Sequence, residues 1–377
     1  MALIIVSIIS AWLTLCYVII VFFLLKGWIR LPYFNSTHRL PVTRVSVLIA
    51  ARNEEDKIGN TIDDILSQSY PGHLLEVIVV DDHSTDRTSE IIRSYCGQGV
   101  KLIQLNENEP LNSYKKKAIA EAIQLSNGEL IVTTDADCRM GKEWLSTIVE
   151  LYEEHNFKLI SSPVMFFNEK SFFEELQTLE FLYLIGLGAS TIGNKKASTC
   201  NGANLAYQKD VFVELKGFKG IDDLASGDDE LFLHKVAAKY PDNIGFCKSV
   251  KAMVYTNAKP DLKEFIQQRK RWASKSTRYK NKAIVILGVT VWLFNLSIII
   301  NFIAGFYYPS CFSIALISLI LKCFSELCFL LPLTRFFRRK KLIFYLPLLT
   351  VLHIFYIFYI GIAGNSGKYN WKGRLVR

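Results

Sequence analysis

The stretch ELIVTTDADCRM, residues 129–140, ends an apolar, β-branched run in two carboxylates, Asp135 and Asp137, one residue apart. On an extended chain every second side chain points the same way, so the two acids would face one direction. Hard carboxylate oxygens suit Mg2+ or Mn2+, ions that keep several waters and bridge to substrate phosphates. Acidic and amide side chains also follow two earlier apolar runs, as ARNEED after 45–51 and as DDHSTD after 75–80. Any one of these positions is explained by a helix N-cap or a turn; three at strand ends point to a shared site. Asp228, Asp229 and Glu230 form a further group, readable as the charged first turn of a helix or as the source of a general base. Gln268, Arg271 and Trp272 stand in QRKRW, where an arginine can grip a diphosphate and a tryptophan can offer a flat face to a sugar. The bland alternative is an interfacial helix, with Arg269, Lys270 and Arg271 at lipid headgroups and Trp272 in an aromatic belt. Asn201 and Gly202, with Ala203 and Asn204, make a small-residue turn that would let a sugar approach the backbone, or is simply a turn.

The elements that must position these groups alternate. Residues 45–51, 75–80, 100–105 and 130–134 read as buried strands, and 54–68, 85–95 and 114–126 as helices that stop at Tyr70-Pro71-Gly72 or Asn127-Gly128. A βαβαβα order predicts an α/β fold with a mostly parallel sheet covered on both faces, whose ligands bind beyond the carboxyl ends of the strands. There is no P-loop signature, and no GxGxxG follows the first strand, which excludes the two commonest ways of holding a nucleotide on such a sheet. The stretch 171–193 is apolar and aromatic, a core helix or an acceptor- or membrane-facing one.

Of 377 residues half are apolar and 13% aromatic, and the net charge is +9. Such a balance favours a membrane surface over nucleic acid. Residues 3–25 carry no charge and are long enough to span a bilayer, with Lys26, Arg30, Arg39 and Arg44 after them, so the predicted anchor has its C-terminal end in the cytoplasm. Apolar runs return at 283–305, 309–332 and 342–364, and TRFFRRKK between the last two predicts a cytoplasmic loop, with anionic lipid as a second attraction. Three C-terminal spans would put the tail 365–377 outside, although it carries Lys368, Lys372, Arg374 and Arg377; a re-entrant 309–332, with Lys322 and Glu326 four residues apart, would relieve that conflict. The expected organisation is therefore an N-terminal anchor (1–28), a cytosolic domain (43–275), a membrane domain of two to three helices (283–364) and a basic tail (365–377). The eight cysteines show no zinc spacing and fit buried hydrophobes in a reducing compartment, and the six histidines show no ligand spacing.

Taken in order, VSVLIAARNEEDKIGNTIDDILSQSYP, EVIVVDDHSTDRT, KKKAIAEAI, GELIVTTDADC, CNGANLAYQKDVFVELKGF, GDDELFLHKV and QRKRW resemble the nucleotide-sugar domain of family 2 glycosyltransferases, the GT-A fold, over residues 43–275. The resemblance implies that Arg52, Asn53 and Glu54 sit against the nucleoside, that Asp81 or Asp82 contacts the base or ribose, and that Lys117 approaches the donor phosphates or ribose. It implies Asp135 for ribose and metal, Asp137 for metal, and Asp229 as general base with Asp228 as the fallback; the family usually has Glu-Asp where this chain has Asp-Asp. The QRKRW motif marks the membrane-bound members, both polymer synthases and lipid glycosyltransferases. The terminal WKGR (371–374) looks like the C-terminal pattern of membrane enzymes acting on ceramide or hopanoids. The function so implied is metal-dependent, inverting transfer of a sugar from a nucleotide-diphosphate donor to a lipid or lipid-linked acceptor. A processive β-glycan synthase and an inactive membrane scaffold on the same fold are the alternatives.

Overall fold

The computed structural model describes residues 2–37, 39–106, 111, 113–364, 369–371 and 374–376. Contacts divide the chain into two compact units that do not follow sequence order. One comprises Arg30–Glu169, Leu187–Ala258 and Lys368–Arg377, the other Met1–Ile29, Lys170–Gly186 and Lys259–Gly367.

The first unit is built on strands β1 (Val45–Ala51), β2 (Leu75–Asp81), β3 (Val100–Gln104), β4 (Leu130–Asp135), β5 (Arg139–Met140), β6 (Leu159–Ser161), β7 (Val164–Phe166), β8 (Leu205–Gln208), β9 (Ile244–Phe246) and β10 (Val254–Thr256). Seven of them form one sheet in the order β3-β2-β1-β4-β8-β6-β9, and β5-β10-β7 form a small second sheet. The β3-β2-β1-β4 half is parallel, because helices Ile58–Leu66, Thr88–Ser94 and Tyr114–Leu125 carry the chain back between its strands. β8 enters antiparallel to both β4 and β6, so the sheet is mixed and not wholly parallel. β1 is buried nearly throughout, which explains its unbroken VSVLIAA. The first helix begins at Ile58 and not at 54: Asn53 has a left-handed φ of 50°, and residues 55–57 turn before the helix starts. Of the tail, Tyr369–Trp371 and Arg374–Val376 pair as a short antiparallel hairpin; the rest of the expected basic tail, including most of WKGR, lies outside the described residues.

In the other unit, and among the described residues, four helices are long and apolar enough to cross a membrane: Ile4–Arg30, Lys282–Ala304, Ser310–Phe336 and Lys340–Ala363, the last opening with a 3-10 turn. The chain is a membrane-associated protein. Apolar side chains alone give no preferred register inside a bilayer; polar ones supply it here. Ser10, Thr14 and Tyr17 lie on one face of the first helix at i, i+4 and i+7. Asn301 donates to Ser10 Oγ (2.7 Å), Thr14 shares a hydrogen bond with Ser318 (2.9 Å), and Tyr17 donates to Glu326 Oε1 (2.6 Å). The Lys322–Glu326 pair is buried, at 2.6 Å, with Thr350 donating to the second Glu326 oxygen (2.8 Å). Those charges are thus packed among four helices, and the helix that holds them is continuous from Ser310 to Phe336. Its contacts with the first helix advance in step, from Thr14–Ser318 to Trp28–Phe336 (ring centroids 5.3 Å), so the two run parallel.

Candidate functional site

Three adjacent parallel strands deliver the acids to one edge. Ala51 lies opposite Asp81, and Ala50 opposite Asp135, so β2 and β4 end level on either side of β1. Asp81 and Asp135 are therefore two strand spacings apart, roughly 10 Å, about the width of a nucleoside. Arg52, just past β1, donates through Nη1 to the carbonyls of Asp82 (2.8 Å) and His83 (3.0 Å). Asn53 accepts from Thr85 N (2.8 Å), and Glu54 N donates to Thr88 Oγ1 (2.7 Å). These three residues tie the end of β1 to the loop after β2. Asp81 and Asp82 are buried; Asp81 accepts from Ser84 N (3.2 Å), and Asp82 contacts His83 Nδ1 (3.1 Å).

The paired acids after β4 converge by a turn and not by the alternation of an extended strand. β4 ends at Asp135, residues 136–137 turn, and Thr61 Oγ1 pins that turn through the carbonyls of Ala136 (2.9 Å) and Cys138 (2.8 Å). One ligand atom from each of Asp135, Asp137 and Cys138 lies within 4.8 Å of the others. Burial first, then the two neighbouring aspartates, pushes the Cys138 thiol far up. Cys138 therefore stays a thiol, a poor ligand for a hard cation. The two carboxylates remain as a fitting pair of hard oxygen donors for a divalent ion.

The lysine among these acids is Lys115. Its Nζ lies 2.8 Å from Asp135 Oδ1 and 3.3 Å from Asp228 Oδ2, and so joins the end of β4 to a loop some ninety residues further along the chain. Burial works against its charge, but Asp135 and Asp228, with Asp229 behind them, outweigh it and hold the ammonium well above the ordinary lysine range. Lys117, which the resemblance brought toward the donor, instead makes an i,i+4 pair with Glu121 (2.8 Å). The reason is helical rotation: Ala118, Ile119, Ala122 and Ile123 face the core, which turns Lys115 inward and Lys117 outward. That periodicity is present in KKKAIAEAI and was the available signal. Lys57 stands 3.7 Å from Asp137. Lys116, also unforeseen, is buried and donates to the carbonyls of Ile221 (2.6 Å), Leu224 (2.7 Å) and Ser226 (2.7 Å).

Lys116 thereby fixes the loop that leads into Gly227, Asp228 and Asp229. Gly227 has a φ of 87°, a conformation that favours glycine. Asp229 caps the Glu230–Lys239 helix: Oδ1 accepts from Glu230 N (2.7 Å) and Oδ2 from Gly202 N (3.0 Å). Asn201 accepts from Ala203 N (2.9 Å) to shape its turn. A Cβ on Gly202 would lie 3.3 Å from Asp229 Cβ and 3.4 Å from Asp228 Oδ2. The close approach that this small-residue turn permits is thus made by the acid pair. Asp228 and Asp229 are therefore more than a charged first turn: one is tied to Asp135 through Lys115, the other to the Gly202 turn.

Residues 46–216 match the family model described as Glycosyl transferase family 2. They are a family 2 glycosyltransferase domain. Within it fall Arg52, Asp81, Lys115, Asp135 and Asp137, while Asp228 and Asp229 follow shortly after. The chain is 32% identical over 109 residues to a β-monoglucosyldiacylglycerol synthase of Nostoc sp., a match covering 29% of this chain and 23% of that protein. It spans only about a quarter of the length of the synthases of that name that it matches. A probable glycosyltransferase of Bacillus subtilis, YdaM, is 26% identical over 348 residues, covering 82% of this chain and 79% of that one. Among solved structures, the mannosyltransferase PcManGT from Pyrobaculum calidifontis, in complex with GDP-Man and Mn2+, aligns over 93% of this chain and 98% of its own. The TM-score is 0.56 at 19% identity, a likeness of fold: the family 2 domain here has the GT-A arrangement.

The QRKRW motif lies in the other unit, on the Leu262–Ser274 helix, which Asp261 caps by accepting from Glu264 N (2.9 Å). Gln268, Arg271 and Trp272 are each partly exposed. Arg269 is not at a surface, as an interfacial helix would have it; it is buried against Glu180.

Proposed function

We propose that this chain is an inverting glycosyltransferase that moves a sugar from a nucleotide-diphosphate donor to a lipid or lipid-linked acceptor at the cytoplasmic face of a membrane. The observation that carries the reading is the Lys115 bridge. It gathers Asp135, Asp228 and, through its neighbour, Asp229 at the carboxyl edge of the parallel strands, where such sheets bind nucleotides. A Mg2+ or Mn2+ ion held by Asp135 and Asp137 would supply positive charge for the donor diphosphate. Arg52, Asn53, Glu54 and Asp81 or Asp82 form the nucleoside end of the site, with Asp135 toward the ribose. Lys115 adds a cation beside the leaving diphosphate, the role first given to Lys117.

Inversion requires attack on the anomeric carbon from the face opposite the diphosphate. Asp228 is committed to the donor side through Lys115, which leaves Asp229, at the Gly202 turn, as the base. As the acceptor oxygen bonds to the anomeric carbon, its proton passes to the Asp229 carboxylate, and the electron pair of the breaking C–O bond leaves with the diphosphate. Asn201 and Gly202 border the acceptor. Gln268, Arg271 and Trp272 are assigned to diphosphate or acceptor on their chemistry and their place in the motif.

A lipid acceptor is supported by the four apolar helices and by relatives named as diacylglycerol glycosylating synthases. A cytoplasmic site is supported by the parallel course of the first and third spans. It brings Lys26 to the same end of the bundle as Arg335, Arg338, Arg339, Lys340 and Lys341, and such charge concentrates inside. The test incubates membranes containing the protein with radiolabelled UDP-glucose, UDP-galactose, UDP-N-acetylglucosamine or GDP-mannose. Label in an organic-extractable glycolipid, lost in Asp229→Asn, is expected. Label in a water-soluble polymer overturns the lipid reading in favour of a glycan synthase. Lipid extracts unchanged by Asp137→Ala and Asp229→Asn overturn the catalytic reading altogether.

A further inference from the structure

Glu180 stands alone as an acid in the apolar run LQTLEFLYL, and Arg269 is the second residue of QRKRW. Both lie in the membrane-helix unit, and their side chains are 4% and 1% exposed. Arg269 Nε donates to Glu180 Oε1 (3.3 Å) and Nη2 to Glu180 Oε2, a two-point grip. A buried ion pair of this kind is a weak stability device, since apolar side chains of similar volume serve as well or better. What it does supply is direction, and here the direction concerns the motif.

We propose that the Arg269–Glu180 pair is the positioning element of the Gln268, Arg271 and Trp272 motif. Arg269 Nη1 donates to Gln268 Oε1 (2.7 Å), which fixes the amide with its NH2 group turned away from the arginine. The same guanidinium lies 4.2 Å from the centroid of the Trp272 ring and 4.6 Å from that of Phe265. Phe265, Gln268, Arg269 and Trp272 share one helix face at i, i+3, i+4 and i+7, so one planar cation holds both a motif amide and a motif indole. Phe181, next to Glu180, meets Trp272 at 6.0 Å, and Tyr356 of the last membrane helix packs on Phe265 at 5.6 Å. Glu180 fixes the guanidinium, and the guanidinium fixes the motif. A lysine could keep the ion pair with Glu180, but its compact ammonium cannot present a plane to Trp272 and a directed N–H to Gln268 together.

The inference rests on the proposed role of the motif in transfer, and the experiment separates the two. With the donor that labels lipid in the assay above, Arg269→Lys is expected to lower kcat about a hundredfold with donor KM little changed, the loss typical of a displaced reacting group. In the Gln268→Ala/Trp272→Phe background the same Arg269→Lys change is expected to cost no more than threefold, since its targets are gone. Acrylamide quenching of the Trp272 signal, taken as wild type minus Trp272→Phe, is expected to rise in Arg269→Lys, and needs no donor. Should Arg269→Lys not fold, Glu180→Asp, which keeps the charge and withdraws one methylene, is read the same way. Wild-type kcat with unchanged quenching, or a loss that adds in full to that of the double variant, overturns the positioning role alone. Full activity of Gln268→Ala/Trp272→Phe overturns the motif's part in transfer, and this inference with it.

Discussion

Lys116 offers a perturbation whose two consequences have opposite signs. Its side chain is 2% exposed, and its three N–H donors are matched by three carbonyls of the loop 221–226, just before Asp228. Burial, only partly offset by Asp228 and Asp229, pulls its pKa from 10.5 down to about 8. Keeping the ammonium charged in the folded state thus costs about 3 kcal/mol. Lys116→Met relieves that cost but removes three hydrogen bonds, each contributing about 1–1.5 kcal/mol. The two terms nearly cancel, so the melting temperature in detergent should move by only a few degrees. Activity should not be spared: without its clamp the loop no longer fixes Asp228 and Asp229, and a displacement of about 1 Å costs on the order of a hundredfold in kcat. The wild-type pH profile carries the same information. Because the folded pKa lies below the unfolded one, the folded chain releases a proton near pH 8 that the unfolded chain keeps up to about 10.5. Over that window this group raises stability with pH. Yet the neutral amine has two N–H donors for three carbonyls, so kcat/KM should fall above about pH 8 while the protein becomes no easier to melt. Lys116→Arg, charged throughout, should move that alkaline limb upward. The reasoning fails if Lys116→Met is fully active, or if the limb is the same in Lys116→Arg.

Three more expectations concern separate parts of the molecule. Gly202→Ala places a methyl 3.3–3.5 Å from the Asp228 and Asp229 side chains; it should cost about 1–2 kcal/mol in thermal unfolding and at least tenfold in kcat, and wild-type kinetics would count against a site at that turn. Asp137→Ala, at a part-exposed position, should leave stability within about 0.5 kcal/mol but lower activity about a hundredfold or more, as should chelation with EDTA in the wild type, reversed there by Mg2+ or Mn2+; a chelator-resistant enzyme would refute a metal at Asp135 and Asp137. In the membrane unit Lys322→Met strands the Glu326 carboxylate and should cost about 3–5 kcal/mol, whereas Lys322→Met/Glu326→Met together should come close to wild type in the same melting assay.

The sequence made the first half of the sheet legible because β1 to β4 are buried runs punctuated by residues that turn the chain. The second half resisted for a physical reason. β6, β8 and β9 are three to four residues long, too short for a period to show, and the antiparallel entry of β8 follows from pairing with β4, not from anything local. The site divides in the same way. Acids at strand ends advertise themselves, since a carboxylate closing an apolar run needs an explanation. Their true geometry did not: Asp135 and Asp137 meet through a turn held by Thr61, some seventy-five residues earlier. Lys115 was readable in principle from the apolar face of its helix, whereas Lys116 was not, because its acceptors are backbone carbonyls, which no side-chain pattern records.

The buried charges show why some of the information is of a different kind. Inside a bilayer, helix faces of leucine, isoleucine and phenylalanine pack nearly as well in several rotations and slides, since lipid competes for the same surface. A directed bond between a charge and its partner has one good register. Glu326 takes Tyr17, Lys322 and Thr350 from three helices, and Arg269 takes Glu180 from another while setting Gln268 and Trp272. In both clusters a cation is also capped by an aromatic ring, Lys322 by Tyr17 at 4.8 Å and Arg269 by Trp272 at 4.2 Å, so that charge removed from water regains part of its solvation from a π face. A lone Glu or Lys in an apolar run is thus the point where register is decided, and its partner is chosen by the fold and not by its neighbours in sequence. Glu180 and Arg269, eighty-nine residues apart, are such a case: each is visible alone as an anomaly, and only the assembled helices show that the two anomalies are one.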